Sequence, residues 1–158
     1  MRTLILAALA AALGAALPGT ASAQTPGQKV VVNAKNGLAI EGYDPVSYFM
    51  AGPARGSEAF TASYLGATYR FTSAEHRDLF AASPAKYAPQ FGGYCGYGAS
   101  RGYLASVDPE AYTIMNGRLI LQNSKSVLKL WQKEPDARLK LADENWPAIV
   151  DKEGKPLP

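Results

Sequence analysis

The chain has 158 residues and a formal net charge of +3, from 16 basic and 13 acidic residues. The basic residues are scattered along the chain, which argues against a nucleic-acid-binding surface. This length is enough for a single domain with its own hydrophobic core. No segment after the N-terminal region is apolar for long enough to span a membrane.

The N-terminus has the features of a secretory signal peptide over residues 1–23. Arg2 supplies a positive charge, an apolar run from Leu4 to Leu17 follows, and Ala21-Ser22-Ala23 offers the small residues of a cleavage site. A membrane-spanning helix needs about twenty apolar residues, so an uncleaved membrane anchor is the less favoured alternative. We predict an exported protein, periplasmic or secreted, whose mature form begins at Gln24.

The mature chain is predicted to contain one folded domain between two less ordered ends. Residues 24–37 are expected to be a flexible N-terminal segment with a short strand at Val30–Val32. Residues 38–150 are expected to form the domain, and residues 151–158 an unstructured C-terminal tail.

The first half of this domain predicts a helical turn followed by a hairpin. Asp44 fits a helix N-cap, and Pro45 fits the first helical position of a short helix. The segment Phe60–Phe71 carries aromatic residues at alternating positions on either side of Gly66. Such alternation indicates two strands joined by a turn.

A helix carrying the one histidine of the chain follows this hairpin. Thr72, with a glutamate three residues later, forms a capping-box pattern before a helix that should extend to about Ala82. His76, Leu79 and Phe80 have the spacing of residues on one helix face. We therefore expect His76 to point toward the apolar side.

The second half predicts a hairpin and two further helices. Asn116-Gly117 lies between two apolar strands and is the residue pair favoured by a type I′ turn. Asn123 or Ser124 can cap the next helix, and Pro135 can open a last helix that ends at Trp146-Pro147. The fold class is therefore predicted as α+β: a small single domain of short antiparallel β-hairpins packed with short helices.

The single cysteine, Cys95, lies in the glycine-rich segment Phe91–Gly98. It cannot form an intramolecular disulfide. It is therefore a buried inert thiol, half of an intermolecular disulfide, a metal or cofactor ligand, or a reactive thiolate. The glycines lack side chains for an apolar pocket and let a backbone or a ligand approach closely. The residues thus favour a functional and a structural cysteine about equally.

Several dispersed motifs occur in one order along nearly all of the mature chain. They are Gly42-Tyr43-Asp44-Pro45-Val46-Ser47-Tyr48-Phe49, Tyr69-Arg70-Phe71-Thr72-Ser73, Phe80, Pro84, Tyr87, Gly92-Gly93-Tyr94-Cys95, Asp108-Pro109, Asn116-Gly117 and Ala142-Asp143-Glu144-Asn145-Trp146-Pro147. Together they resemble the YHS domain family in its larger, exported form. The resemblance implies a YHS-type domain over residues 38–150.

The resemblance also implies a metal site. Shorter YHS relatives, attached to copper- and other heavy-metal-transporting ATPases, are thought to bind metal through cysteines. Thr72 stands where the first of those cysteines would be, and His76 stands where the second would be. Thr72 is a poor ligand for soft metals. The remaining candidate ligands are therefore one thiolate, Cys95, and one imidazole, His76. This pair suits copper or haem iron better than a structural zinc site with four protein ligands. Additional ligands would come from an exogenous molecule or from Met50, Met115, Asp44, Glu75, Tyr94 or Tyr97.

We therefore predict a metal- or cofactor-binding protein rather than an enzyme. Cys95 and His76 are the expected metal ligands, and Tyr94 and Tyr97 are expected to shape the cofactor pocket. One alternative is a metal-free module that binds a protein or small ligand. Another is a thiol-dependent enzyme in which His76 activates the Cys95 thiol. A shared metal or an acid–base pair requires these two side chains within about 7 Å of each other, because metal–ligand bonds are near 2 Å.

Overall fold

The computed structural model describes residues 25–157. The predicted signal peptide, residues 1–23, lies outside them. Within the described residues, no helix is both long and apolar enough to cross a membrane.

Short strands and helices alternate along the described chain, which confirms the α+β class. In chain order they are β1 (Lys29–Val30), β2 (Ala34–Lys35), β3 (Leu38–Ala39), β4 (Ser57–Tyr64), β5 (Ala67–Phe71), α1 (Ala74–Ala82), α2 (Pro84–Tyr87), α3 (Gly96–Ser100), β6 (Asp108–Met115), β7 (Arg118–Gln122), α4 (Lys125–Trp131), α5 (Pro135–Glu153) and β8 (Lys155–Pro156). Short 3₁₀ turns lie at Ile40–Gly42, Ser47–Phe49 and Phe91–Gly93.

The strands of residues 25–157 form three small sheets. β4 and β5 make an antiparallel hairpin, and β3 and β2 extend it in the order β2-β3-β5-β4. β3 lies parallel to β5, so this sheet is mixed, whereas its β4–β5 hairpin is antiparallel as predicted. β6 and β7 form a second antiparallel hairpin, and β1 pairs with β8.

Both hairpins turn through residue pairs with a left-handed backbone. The φ angles are 51° at Asn116 and 73° at Gly117, and 49° at Leu65 and 77° at Gly66. Positive φ at both central positions defines the type I′ turn, whose twist matches that of the flanking strands. The two predicted hairpins are confirmed.

The interior is divided into two cores by β7. Leu119 and Leu121 face the first core, and Ile120 faces the second, because successive strand residues point to opposite faces. The first core also contains Ala39, Ile40, Val46, Tyr48, Ala67, Tyr69, Phe71, Phe80, Tyr87 and Ala88. The second also contains Phe91, Ala99, Trp131, Leu139, Ala142 and Ile149.

The two chain ends pair with each other. The Gly27 amide donates to the Leu157 carbonyl at 3.0 Å, and the Leu157 amide donates to the Gln28 carbonyl at 3.0 Å. Leu157 is also buried. The predictions of a flexible segment at 24–37 and an unstructured tail at 151–158 are therefore wrong for the described part of each. The sequence of neither end carries enough apolar residues to predict an ordered structure. Each end provides main-chain hydrogen-bond partners for the other.

The last helix, α5, continues past Pro147 to Glu153 and does not end at Trp146-Pro147 as predicted. Proline has no N–H and costs about 3 kcal/mol inside a helix. Ile149, beyond the proline, is buried in the second core, and burial of such a side chain contributes about 1.5–3 kcal/mol. The helix also leads directly into β8, so packing and strand pairing offset the proline.

Gly92 lets the N-terminal segment lie directly against the glycine-rich segment. The Asn33 amide donates to the Gly92 carbonyl at 2.8 Å, and Asn33 Nδ2 donates to the Gly93 carbonyl at 3.0 Å. A Cβ built on Gly92 would lie 1.8 Å from the Val31 carbonyl oxygen. The group that lies close to Gly92 is therefore the backbone of Val31.

We expect Gly92→Ala to destabilise the fold far more than Gly102→Ala. Both glycines have positive φ, 58° and 80°, so both variants share the backbone strain. A Cβ on Gly102 meets nothing within 4 Å. The steric clash at Gly92 should therefore add about 3 kcal/mol, measured as the difference in free energy of unfolding in urea. Equal losses for the two variants would contradict the close approach of Val31.

Two buried tyrosines should make the fold sensitive to alkali. Burial raises the pKa of Tyr48 and of Tyr69 above the usual range. Above pH of about 10 the unfolded chain therefore loses these protons while the folded chain retains them, so the free energy of unfolding falls as pH rises. The expected slope is about 1.4 kcal/mol per pH unit for each such tyrosine. Urea unfolding between pH 9 and 12 of the wild type and of Tyr48→Phe measures it. An identical pH dependence for the two proteins would contradict the contribution of Tyr48.

Candidate functional site

Asp44 is a fully buried carboxylate at the start of the turn at Ser47–Phe49. Its Oδ1 accepts hydrogen bonds from the amides of Val46, at 2.8 Å, and Ser47, at 3.3 Å. The Ser47 hydroxyl donates in return to the Asp44 carbonyl at 2.7 Å. Asp44 thus binds the first amides of this turn, but the N-cap position is Val46 and not Asp44 as predicted. Its second carboxylate oxygen has other partners.

The second carboxylate oxygen joins this turn to the corner between β5 and α1. Oδ2 of Asp44 accepts from the Thr72 amide at 2.9 Å and from the Thr72 hydroxyl at 2.8 Å. His76 Nδ1 lies 2.6 Å from the same oxygen. The Thr72 hydroxyl is therefore engaged with Asp44, and the predicted N-cap at Thr72 is wrong. Ser73 is the N-cap of α1, and its hydroxyl accepts from the His76 amide at 3.1 Å.

The Asp44–His76 contact determines how the imidazole is presented. A carboxylate only accepts hydrogen bonds, so Nδ1 of His76 carries the proton. In the neutral ring, Nε2 then has the free lone pair. The His76 side chain is 18 % exposed, whereas that of Asp44 is fully buried. Asp44 thus holds the ring by one edge, and the ring is partly open to solvent.

Cys95 is buried, with 1 % of its surface exposed, and is the N-cap of α3. Its Sγ donates to Gln122 Oε1 at 3.4 Å and accepts from the Gly98 amide at 3.5 Å. Gln122 Oε1 also accepts from the Tyr97 amide at 3.0 Å. Gln122, at the end of the buried strand β7, therefore positions the start of α3. The signal in the sequence was a polar residue ending an apolar run, and it did not specify a partner.

The glycines around Cys95 allow close packing of α3. A Cβ on Gly96 would lie 2.5 Å from Ile120 Cγ2 and 3.1 Å from Trp131 Cζ3. β7 and α4 thus pack against Gly96, and the glycine-rich segment buries Cys95 although its own glycines have no side chains.

The two tyrosines beside Cys95 have different surroundings. The Arg138 guanidinium lies 5.0 Å from the centre of the Tyr97 ring. Tyr94 lines a cavity beside the paired chain ends.

The two methionines that were considered as additional ligands also differ. Met115 Sδ accepts a hydrogen bond from Trp131 Nε1 at 3.3 Å, and Met50 is exposed.

Cys95 and His76 belong to separate hydrogen-bond networks. α1, which carries His76, packs on β4, β5 and α2, whereas α3 packs on α4, α5 and β7. Residues 25–157 contain no group of three or more His, Cys, Asp or Glu side chains arranged to hold a metal ion. The structure brings His76 together with Asp44 and Thr72, and Cys95 together with Gln122.

No protein-family model, curated protein or solved structure matches this chain. The YHS resemblance therefore stays a prediction from the sequence motifs.

The Cys95 thiol is expected to react slowly with an aromatic disulfide reagent while the protein is folded. Its burial should slow the reaction by at least about 100-fold relative to the urea-unfolded chain, since reaction then requires opening of the structure. The release of the coloured thiolate measures both rates. The control is Tyr103→Cys in a Cys95→Ser background, because Tyr103 is exposed and its replacement should react rapidly. Comparable native rates for Cys95 and the control would contradict the burial.

Proposed function

We propose that this protein is an exported YHS-type protein that binds a transition metal, copper or haem iron, through Nε2 of His76. The single observation that carries the proposal is the 2.6 Å contact between His76 Nδ1 and the buried Asp44 carboxylate. Metal-binding histidines typically donate their second ring N–H to a carboxylate, which fixes the tautomer and raises the basicity of the ligating nitrogen.

The environment of Asp44 supports this role. Besides His76, four donors from Val46, Ser47 and Thr72 satisfy the carboxylate. These bonds fix the position of the carboxylate from several sides, so Asp44 is a rigid hydrogen-bonding support for the imidazole.

The remaining coordination positions would be filled from outside this network. A neutral imidazole suits copper and iron, but one histidine does not make a closed structural site. Exogenous ligands or a partner molecule would complete the coordination, as in a site that accepts and passes on its metal. In this proposal Cys95 is a packed structural thiol and not the second ligand.

The competing thiol-enzyme interpretation has less support. A nucleophilic cysteine needs a nearby base and access to substrate. Cys95 is buried, and its polar partners are Gln122 and Gly98. Its contacts fit a packing role.

His76→Ala should abolish metal binding, because it removes the ligating nitrogen. Asp44→Asn should weaken binding by about 10–100-fold through loss of the supporting carboxylate. Cys95→Ser should bind like the wild type. Titration of the mature, metal-free protein with Cu²⁺ and, separately, with haem measures the affinities by calorimetry and visible absorption.

Thr72→Val is the matched control for Asp44. It removes the hydroxyl that donates to Asp44 Oδ2 and lies 3.1 Å from His76 Nδ1. The shorter 2.6 Å contact between Asp44 and His76 is kept, so this variant should lower stability while leaving the metal affinity within about threefold. Unfolding curves separate affinity from stability. Unchanged binding by His76→Ala, or loss of binding in Cys95→Ser alone, would overturn the proposal.

A further inference from the structure

β4 is an edge strand of the sheet with the strand order β2-β3-β5-β4. Within residues 25–157, β5 is the one strand that pairs with it. The regular part of this pairing covers Thr61–Tyr64 and ends at the turn Leu65-Gly66. The register shifts before this part, so a bulge separates it from Ser57. We call the segment Phe60–Tyr64 the β4 edge.

The main-chain groups of Thr61 and Ser63 point away from β5. Thr68 lies opposite Ser63, and its amide donates to the Gly37 carbonyl, on the other side of β5, at 2.8 Å. Thr68 and Ser63 are therefore a non-hydrogen-bonded pair. Since such pairs alternate along an antiparallel hairpin, Thr61 is in the same position as Ser63. The N–H and C=O groups of both residues are directed to the open side of the sheet, where a further strand would bind.

The β4 edge has no side chain that would repel another strand. Many proteins protect an edge strand with lysines, other charged side chains or proline. Residues 59–65 include no charged residue and no proline. The preceding Glu58 is paired with Arg70 at 2.6 Å. The side chains next to the outward main-chain groups, Thr61 and Ser63, are exposed and uncharged. A second β4 edge can therefore approach without charge repulsion.

Antiparallel pairing of two copies of the β4 edge is self-complementary. In the register centred on Ala62, Thr61 of one copy lies opposite Ser63 of the other, and two-fold symmetry repeats this pair. Both positions have outward main-chain groups, so each pair exchanges both main-chain hydrogen bonds. On the other face of the strand, Phe60 of one copy lies opposite Tyr64 of the second copy. Both rings are only partly buried against the first core, and aromatic cross-strand pairs are stabilising.

We propose that the mature protein forms a two-fold symmetric dimer in which two β4 edges pair antiparallel. The four-stranded sheets of the two copies then form one continuous sheet. Main-chain hydrogen bonds determine the alignment, and the small uncharged side chains permit the close approach. The paired segment is short, so the dimer should be weak, with a Kd of about 10–100 μM. This dimer does not depend on His76 or on a metal.

Two double variants test the interface and its register. Thr61→Glu/Ser63→Glu places like charges opposite each other at both pairs and should weaken dimerisation at least about tenfold. Thr61→Glu/Ser63→Lys is the matched control, because it places opposite charges at the same pairs. Its Kd should stay within about threefold of the wild-type value. Arg70 lies opposite position 61 in both variants, so they share that contact within the hairpin.

Sedimentation equilibrium of the mature, metal-free proteins at about 5–500 μM measures the Kd values. Ser63→Pro is an independent variant: it removes an outward N–H that β5 does not use, so it should keep the fold and weaken the dimer. Circular dichroism and urea unfolding verify the fold of each variant. A wild type that is monomeric at about 500 μM, a dimer that survives both the Glu/Glu change and Ser63→Pro, or equal weakening by the two double variants would each overturn the proposal.

Discussion

The structure depends on one strand that is buried on both faces. β7 presents Leu119 and Leu121 to one core and Ile120 to the other, and its last residue, Gln122, is buried too. Successive residues of a strand point to opposite faces of the sheet. One strand can therefore contribute side chains to two cores when both of its faces are apolar. The hairpin, the glycine-rich segment and the last two helices are all arranged around this wall.

This arrangement separates the two side chains that the sequence singles out. Cys95 lies against β7 through Gln122, on the side where Gly96 meets Ile120 and Trp131. His76 lies at the corner after β5, where Asp44 holds it. A buried thiol in close packing behaves as a small apolar group. The His76 imidazole contacts a buried carboxylate and is partly exposed to solvent, an arrangement that is common for metal-binding histidines.

Local signals in the sequence predicted several elements. Asn116-Gly117 placed the second hairpin because this pair adopts positive φ readily, and Ser124 capped α4 through a bond to the Val127 amide. At Thr72 the local signal failed, because its hydroxyl donates to Asp44, which is distant in sequence, and Ser73 caps the helix in its place. Of the site, Asp44 and His76 were named from the sequence, but their contact was not, since 32 residues separate them.

The sequence by itself determined the α+β class, both hairpin turns, the starts of α4 and α5, and a short list of residues able to bind a ligand. These depend on backbone preferences within a few residues. The tertiary structure decided the pairing of the chain ends, the passage of α5 through Pro147, and which residues share a site. Those outcomes depend on burial and on hydrogen bonds between distant segments, and such partners exist only once the chain has folded.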